Sequence, residues 1–250
     1  EKEKTKDGNE KLKKIDDGLD MYKVAAAGIY RINYEAVSDE QRTVGKVCEL
    51  ALGYQGSVNA LNTMANAYGL PPYTEQDGYP IVQAWRMANK PITQFWSACQ
   101  RAARLAIRNR NITYTAGKLV FIADANFLMM ILPSGRTLYY YQPMQDENSI
   151  SYMGLNQYTR KWERTDTYGG KFAENATQAV SRDILVHGMR LVEDYGFQIV
   201  GLVHDEIITE QRPAKKRSAA VLSNLMSTRP SWAPDLPLAA QGFEADRYRK

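Results

Sequence analysis

The sequence has 250 residues, of which 44% are hydrophobic and 24% charged, a composition typical of a folded globular protein and not of a disordered or fibrous one. Its two cysteines are too few for a disulfide framework, and no apolar run is long enough to cross a bilayer, so we expect no membrane partner and a reducing, cytoplasmic location. The net charge of +4 is compatible with a nucleic-acid partner without indicating one.

The first segment, residues 1–18, is almost entirely polar or charged with mixed signs. Such a segment cannot bury enough apolar surface to fold alone, so it is predicted to be a charged N-terminal tail. Because the chain begins with Glu1 and not with Met, we also expect further sequence upstream.

Residues 19–112 are predicted to form a helical block. Ser38 followed three residues later by Gln41 is the signature of a capping box, and Gly53 marks the end of the helix that they begin. A second break is expected before Pro91, since the residue before a proline resists helical geometry.

Residues 113–250 are predicted to mix strands and helices. Two stretches, ITYTAGKLVFIA and FLMMILPSGRTLYYYQPM, are rich in β-branched and aromatic residues, and LPSGR within the second is predicted to be a turn. A long helix is expected from Gly170 to about Tyr195, followed by a hairpin and another helix near 213–227. Helices and strands do not alternate regularly, so the fold class is α+β.

The hairpin sequence VGLVHDEIITE, residues 200–210, places His204, Asp205 and Glu206 between two apolar arms. Acidic residues at a turn often do nothing but face water. Alternatively, a tight hairpin holds carboxylates at a defined point, as a divalent cation such as Mg²⁺ requires. The hairpin alone does not decide between these two interpretations.

Arg42, Lys46, Leu50 and Tyr54 recur every four residues, so a continuous helix would place them on one broad face. The cations could bind the phosphates of a nucleotide triphosphate, and the apolar and aromatic residues could pack on its sugar and base. An ordinary solvated helix face with two basic residues is the alternative.

Lys171, Asn175 and Gln178 have helical spacing on the long predicted helix. Such side chains can hydrogen-bond sugars or base edges, or they can form the solvated side of an amphipathic helix.

Taken together, these motifs resemble the family A, or Pol I-like, DNA polymerases, especially phage-type members. The stretch QRTVGKVCELALGYQG resembles the signature of their fingers helix, VHDEI resembles the palm hairpin, and KFAENATQAVSRDIL resembles the palm helix before it. The resemblance runs from about residue 19 to the C-terminus in the family's own order. It implies a right-hand polymerase with helical fingers over 19–112 and the C-terminal part of an antiparallel-sheet palm over 113–250.

For the fingers, the resemblance implies that Arg42 and the catalytic Lys46 bind the incoming deoxynucleotide triphosphate. Tyr54 would pack near the templating base pair. Leu50 stands where many members have Phe or Tyr against the sugar, which puts discrimination against sugar analogues in doubt.

For the palm, the resemblance implies that Asp205 is catalytic and binds two Mg²⁺ ions. Glu206, also catalytic, and His204 would lie near the primer terminus. The residues that would contact primer–template DNA in the minor groove are Lys171, Asn175 and Gln178. Lys171 and Asn175 match the family more loosely, because the spacing from Asn175 to Gln178 is one residue shorter than usual.

The family's first metal-binding aspartate has no counterpart in this sequence. Asp124 is the nearest strand aspartate, but it follows the helical block and lacks the expected glutamate five residues later. We therefore expect a polymerase fragment or one half of a split polymerase. A second polypeptide or an upstream segment would supply the first aspartate, the thumb and any proofreading exonuclease.

The sequence is compatible with three candidate functions. The first is DNA replication by this incomplete active site, in a bacterial host if the chain is phage-encoded. The second is a non-catalytic nucleic-acid-binding module that kept the fold, and the third is a stand-alone metal phosphohydrolase. Intact Arg42, Lys46, Tyr54 and Asp205 favour the first.

Overall fold

The structure, a computed structural model, describes residues 18–147, 149–157, 159–212 and 217–248. Almost all of the predicted tail, residues 1–17, therefore lies outside the described residues. The chain divides into a first unit, Glu1–Ile131 with Thr137–Asn175, and a second, Leu132–Arg136 with Ala176–Lys250. These two units are defined by the contacts between residues. The boundary between the fingers and the palm, placed between residues 112 and 113, stays a prediction.

The first unit opens with a series of helices. Their bounds are Met21–Tyr30 (α1), Asp39–Leu52 (α2), Val58–Ala67 (α3), Glu75–Ala88 (α4) and Lys90–Arg108 (α5), with a 3-10 turn at Tyr34–Ala36. The predicted break before Pro91 is confirmed, because α4 ends at Ala88 and Pro91 lies in the first turn of α5.

The capping box predicted for α2 is also confirmed. The Ser38 hydroxyl accepts a hydrogen bond from the Gln41 backbone N–H at 3.3 Å, and the Gln41 side chain accepts one from the Ser38 N–H at 3.0 Å. Both bonds satisfy N–H groups that the first turn of a helix leaves without partners. Gly53 is the C-cap of α2, as predicted.

The helices pack around a core of buried apolar side chains. Val47 and Leu52 of α2 lie in it, fully buried, with Leu61 of α3. The rings of Trp85 and Trp96 stack with centroids 6.0 Å apart and bring α4 and α5 together. The buried side of α2 is thereby fixed, and its other side is left for charged residues.

A six-stranded antiparallel sheet follows, in sequential order. Its strands are Tyr114–Ala116 (β1), Leu119–Ala123 (β2), Phe127–Ile131 (β3), Thr137–Gln145 (β4), Ile150–Leu155 (β5) and Trp162–Thr167 (β6). One face is buried through Phe121, Leu128 and Tyr140, and the ring of Phe172 packs edge-on against Phe121 with centroids 5.6 Å apart.

A long helix, Gly169–Asp194 (α6), begins in the first unit and continues through the second. In the second unit it is followed by the hairpin Ile199–Val203 (β7) and Glu206–Thr209 (β8), and by helix Ala219–Met226 (α7). The long helix and the hairpin were both predicted and are confirmed.

The LPSGR segment is a turn, as predicted, and by its contacts belongs to the second unit. Its two ends are joined by a hydrogen bond from the Leu132 N–H to the Arg136 carbonyl at 2.8 Å. Arg136 Nε lies 2.6 Å from Asp183 Oδ1, which ties the turn to α6. Within the described part of the chain, no helix has the length and apolarity needed to cross a membrane.

Candidate functional site

The exposed side of α2 carries the predicted basic residues, and aromatic rings surround them. The Arg42 guanidinium carbon lies 5.3 Å from the centroid of the Tyr22 ring. The Lys46 ammonium lies 5.7 Å from the same centroid and 4.6 Å from that of Tyr68. Cation–π contacts of this kind hold a charged group in place without neutralising it. Leu50, one turn beyond Lys46, is 41% exposed.

Asp20, the N-cap of α1, fixes Arg42. Its Oδ2 accepts a hydrogen bond from Arg42 Nε at 2.8 Å and lies 2.7 Å from Arg42 Nη2, and its Oδ1 accepts from the Tyr22 N–H at 2.9 Å. Burial alone would raise the pKa of Asp20, but the bonds from Arg42 and from the α1 backbone outweigh it, and the pKa is lowered. Asp20 is therefore ionised at neutral pH and holds Arg42 by charge.

Gly45 explains how α1 comes so close to this face. A Cβ atom at Gly45 would lie 2.2 Å from the Tyr22 carbonyl oxygen and 2.9 Å from the Ala26 nitrogen, both in the α1 backbone. Only glycine allows the two helices this approach. The approach places Asp20 and Tyr22 beside Arg42 and Lys46.

Tyr54 lies in the turn beyond α2, since the helix ends at Leu52. The shared helical face predicted from the four-residue spacing thus holds for Arg42, Lys46 and Leu50, but Tyr54 follows the helix. The start of α6 packs closely against this turn. A Cβ at Gly170 would lie 2.3 Å from the Tyr54 carbonyl oxygen, and the Gly170 N–H donates to Gln55 Oε1 at 2.9 Å.

Lys171, Asn175 and Gln178 all lie on α6. Lys171 is exposed and pairs with Glu174 at 2.8 Å. The Asn175 amide donates to the Tyr140 hydroxyl at 3.0 Å, which fixes its orientation. Gln178, in the second unit, is exposed.

The β7–β8 hairpin presents the acidic residues at its tip. Val203 pairs with Glu206, so His204 and Asp205 form a two-residue turn. His204 has a φ of 54°, the left-handed conformation that tight two-residue hairpin turns commonly require. All three tip residues are exposed, and the Tyr248 hydroxyl donates to Glu206 Oε2 at 3.4 Å.

The tip fits one part of a metal site. Exposed carboxylates on adjacent residues are suitable oxygen ligands for a hard cation such as Mg²⁺. Among the described residues, however, no group of three or more His, Cys, Asp or Glu is placed to hold a metal ion. Asp205 is thus a suitable oxygen ligand, and the described residues around it do not form a complete metal site.

Sequence reasoning missed the residues that support the cations. Asp20, Tyr22 and Tyr68 are far from Arg42 and Lys46 in the sequence, and only helix packing brings them together. Gly45 was a signal that could have been used, because a glycine inside a helix often marks the close approach of another backbone.

No protein-family model matches the chain, but a sequence relative and a solved structure are similar to it. A DNA polymerase of Bacillus phage SP02 is 36% identical over 239 residues, covering 92% of this chain and 36% of that polymerase. The chain therefore spans about a third of its relative's length.

A solved structure, the POL domain of Pol1 from M. smegmatis in complex with DNA primer-template and dNTP, aligns over 86% of this chain and 31% of that one. The TM-score is 0.52 at 16% sequence identity, which shows a shared fold alone. The α+β fold class predicted for a polymerase is confirmed. The resemblance to a phage-type DNA polymerase, inferred from the motifs, is confirmed as well. Over nearly its whole length, the chain is similar to part of a phage DNA polymerase.

Proposed function

We propose that this chain performs template-directed DNA synthesis as the C-terminal fingers and palm part of a family A DNA polymerase. It would add deoxynucleotides to the 3′ end of a primer on a DNA template. The similarity to a phage DNA polymerase over 92% of the chain supports this proposal. A phage relative also favours the cytoplasm of a bacterial host as the place of the reaction.

Arg42 and Lys46 bind the incoming triphosphate in this proposal. In the transfer, the primer 3′ oxygen attacks the α-phosphorus, and the bond from that phosphorus to the pyrophosphate oxygen breaks. Negative charge grows on the leaving pyrophosphate, and fixed cations stabilise it. Leu50 borders the sugar, and Tyr54 packs near the templating base pair.

Asp205 would hold Mg²⁺, with Glu206 beside it near the primer terminus. When bound, two Mg²⁺ ions stabilise charge on the attacking and leaving oxygens of a phosphoryl transfer. The turn at His204 keeps Asp205 exposed and its backbone fixed. His204 approaches the primer end, and the polar residues of α6 contact the DNA minor groove: Lys171, Asn175 and Gln178.

A second polypeptide or an upstream segment completes the metal site. Two features of the second unit support this. The described residues hold no cluster of three metal ligands, and β7 pairs only with β8 in the described sheet, leaving Val200 and Leu202 51% and 46% exposed. A two-stranded hairpin with exposed apolar residues is marginal alone and is stabilised by a further strand. The missing piece would carry the first aspartate and the thumb, and possibly an exonuclease.

The observation that carries the proposal is that the polymerase-like motifs occur within a chain 36% identical to a DNA polymerase. Asp205→Asn in the complete polymerase tests it, because the substitution keeps the side-chain shape but removes the charge that attracts Mg²⁺. Primer extension should fall by several orders of magnitude while primer–template binding persists. Glu210→Gln, an exposed acid after the same hairpin, is the matched control and should extend normally.

Near-normal extension by Asp205→Asn would reject the catalytic assignment. Synthesis would then depend on residues elsewhere in the polymerase, and this chain would be a nucleic-acid-binding module that kept the fold.

A further inference from the structure

In the second unit, the segment 240–248 runs back along the helix α7 that precedes it. The Ala240 N–H donates a hydrogen bond to Ser227 Oγ at 2.9 Å, just beyond the end of the helix. A Cβ atom at Gly242 would lie 3.3 Å from Ser223 Oγ, one turn further back. The backbone of the segment therefore lies directly against α7.

Glu244 fixes the segment at the start of the same helix. Its Oε1 accepts a hydrogen bond from the Ala219 N–H at 2.9 Å. The first turn of a helix leaves its N–H groups without partners and carries partial positive charge, so a carboxylate is well placed there. Three contacts along α7 thus determine where the chain goes after Glu244.

The segment then reaches the tip of the β7–β8 hairpin through Tyr248. Its hydroxyl donates to Glu206 Oε2 at 3.4 Å, the one side-chain hydrogen bond that Glu206 forms within the described residues. The backbone of Glu206 is fixed by pairing with Val203, but its side chain is exposed and has several rotatable bonds. Tyr248 is therefore the group that selects an orientation for this carboxylate.

The length of this hydrogen bond agrees with a role at a reacting site. A distance of 3.4 Å is long for an O–H···O bond, which is usually 2.5–3.0 Å. Contacts of this kind at reaction sites are often long before the substrate is bound and shorten in the complex. Because both side chains are exposed, the bond adds little to stability, and what it contributes is orientation.

We propose that Tyr248 is a positioning residue for nucleotide transfer, whose hydroxyl orients Glu206 toward the primer terminus. Tyr248 acts only through Glu206, and the proposal rests on the proposed function, which places Glu206 beside the primer end. The packing of segment 240–248 on α7 gives the hydroxyl its fixed position.

The first test is Tyr248→Phe in the complete polymerase, which removes one hydroxyl and keeps the ring. Single-turnover incorporation at saturating deoxynucleotide should slow about fivefold, the effect of one modest hydrogen bond. The deoxynucleotide concentration for half-maximal rate should not change, because Arg42 and Lys46 are untouched. The thermal midpoint should also stay the same, since the lost bond is exposed.

Tyr195→Phe is the matched control. Tyr195 is a 47% exposed tyrosine of the second unit, and its hydroxyl forms no hydrogen bond with any described residue. This variant should incorporate nucleotides at the normal rate.

A double-mutant cycle tests whether Tyr248 acts through Glu206. Glu206→Ala alone should slow incorporation more than Tyr248→Phe does, because it removes the carboxylate itself. In the Glu206→Ala background, Tyr248→Phe should have no further effect on the rate.

Three outcomes would overturn the proposal: a normal rate for Tyr248→Phe, an equal loss in Tyr195→Phe, or a loss that persists in full in the Glu206→Ala background. Normal incorporation by Glu206→Ala itself would instead count against the proposed role of Glu206. Failure of this inference and failure of the proposed function are thus distinguishable.

Discussion

The basic face of α2 and the acidic tip of the β7–β8 hairpin are built in opposite ways. Arg42 is held by Asp20, and Lys46 lies between the rings of Tyr22 and Tyr68. At the tip, by contrast, Asp205 is exposed and forms no side-chain hydrogen bond within the described residues. The first site is preorganised by the chain itself, whereas the second offers carboxylates that other ligands have to complete.

This difference fits the two roles proposed for these sites. A cation that stabilises a leaving group acts best when its position is fixed before the reaction, because no reorganisation is then needed. A carboxylate that binds a metal ion has to remain accessible, and its partners are ions and other carboxylates. The difference can be tested in three ways: by removing the Lys46 cation, by displacing α1, which supports Arg42 and Lys46, or by removing the Ser38 cap of α2.

The largest effect is expected from Lys46→Ala in the complete polymerase. Loss of one fixed charge at a developing anion typically lowers kcat by about 10²–10³. Single-turnover incorporation should show this loss with primer–template affinity unchanged. Lys118→Ala, an exposed lysine elsewhere in the first unit, should have no effect. Reduced DNA affinity with normal nucleotide kinetics would make this face a DNA-contact surface instead.

A smaller effect is expected from Gly45→Ala. The added Cβ would meet the α1 backbone at the Tyr22 carbonyl, so α1 has to shift, at a cost of about 1–3 kcal/mol. Thermal unfolding should show the lower stability, and the KM for nucleotide should rise because Arg42 and Lys46 lose their supports.

The matched control is Gly28→Ala within α1. A Cβ there has its nearest neighbour, Ala88 Cβ, at 3.7 Å, an ordinary contact. Alanine is also the better helix former, by about 1 kcal/mol. Gly28→Ala should therefore be neutral or stabilising, and equal destabilisation by both variants would contradict the close-approach explanation.

The smallest effect is expected from Ser38→Ala. It removes the hydroxyl that caps α2 and should lower the free energy of unfolding by about 1 kcal/mol, measured by denaturant titration. Ser57 is the N-cap of α3 but its side chain makes no capping hydrogen bond, so Ser57→Ala should change stability much less. A similar loss in both variants would show that the capping box is not what stabilises α2.

The sequence revealed the features that depend on local spacing. The capping box at Ser38, the break before Pro91 and the hairpin around Asp205 each follow from residues within a few positions of one another. Their physical causes act over one helical turn or one two-residue loop, so a single sequence contains them.

The features that depend on packing could not be predicted. Asp20 meets Arg42 only because Gly45 lets α1 approach α2, and this approach joins segments more than 20 residues apart. Tyr54 was placed on the helix because its spacing fitted, but Gly53 ends the helix before it.

The most direct test of the central claim is primer extension by this 250-residue chain with Mg²⁺ and all four deoxynucleotides, first alone and then with the polypeptide that carries the first aspartate and thumb. The account predicts no synthesis by the chain alone. It predicts robust synthesis after addition of that polypeptide, which Asp205→Asn abolishes. Robust synthesis by the isolated chain would contradict the claim that its metal site needs carboxylates from elsewhere.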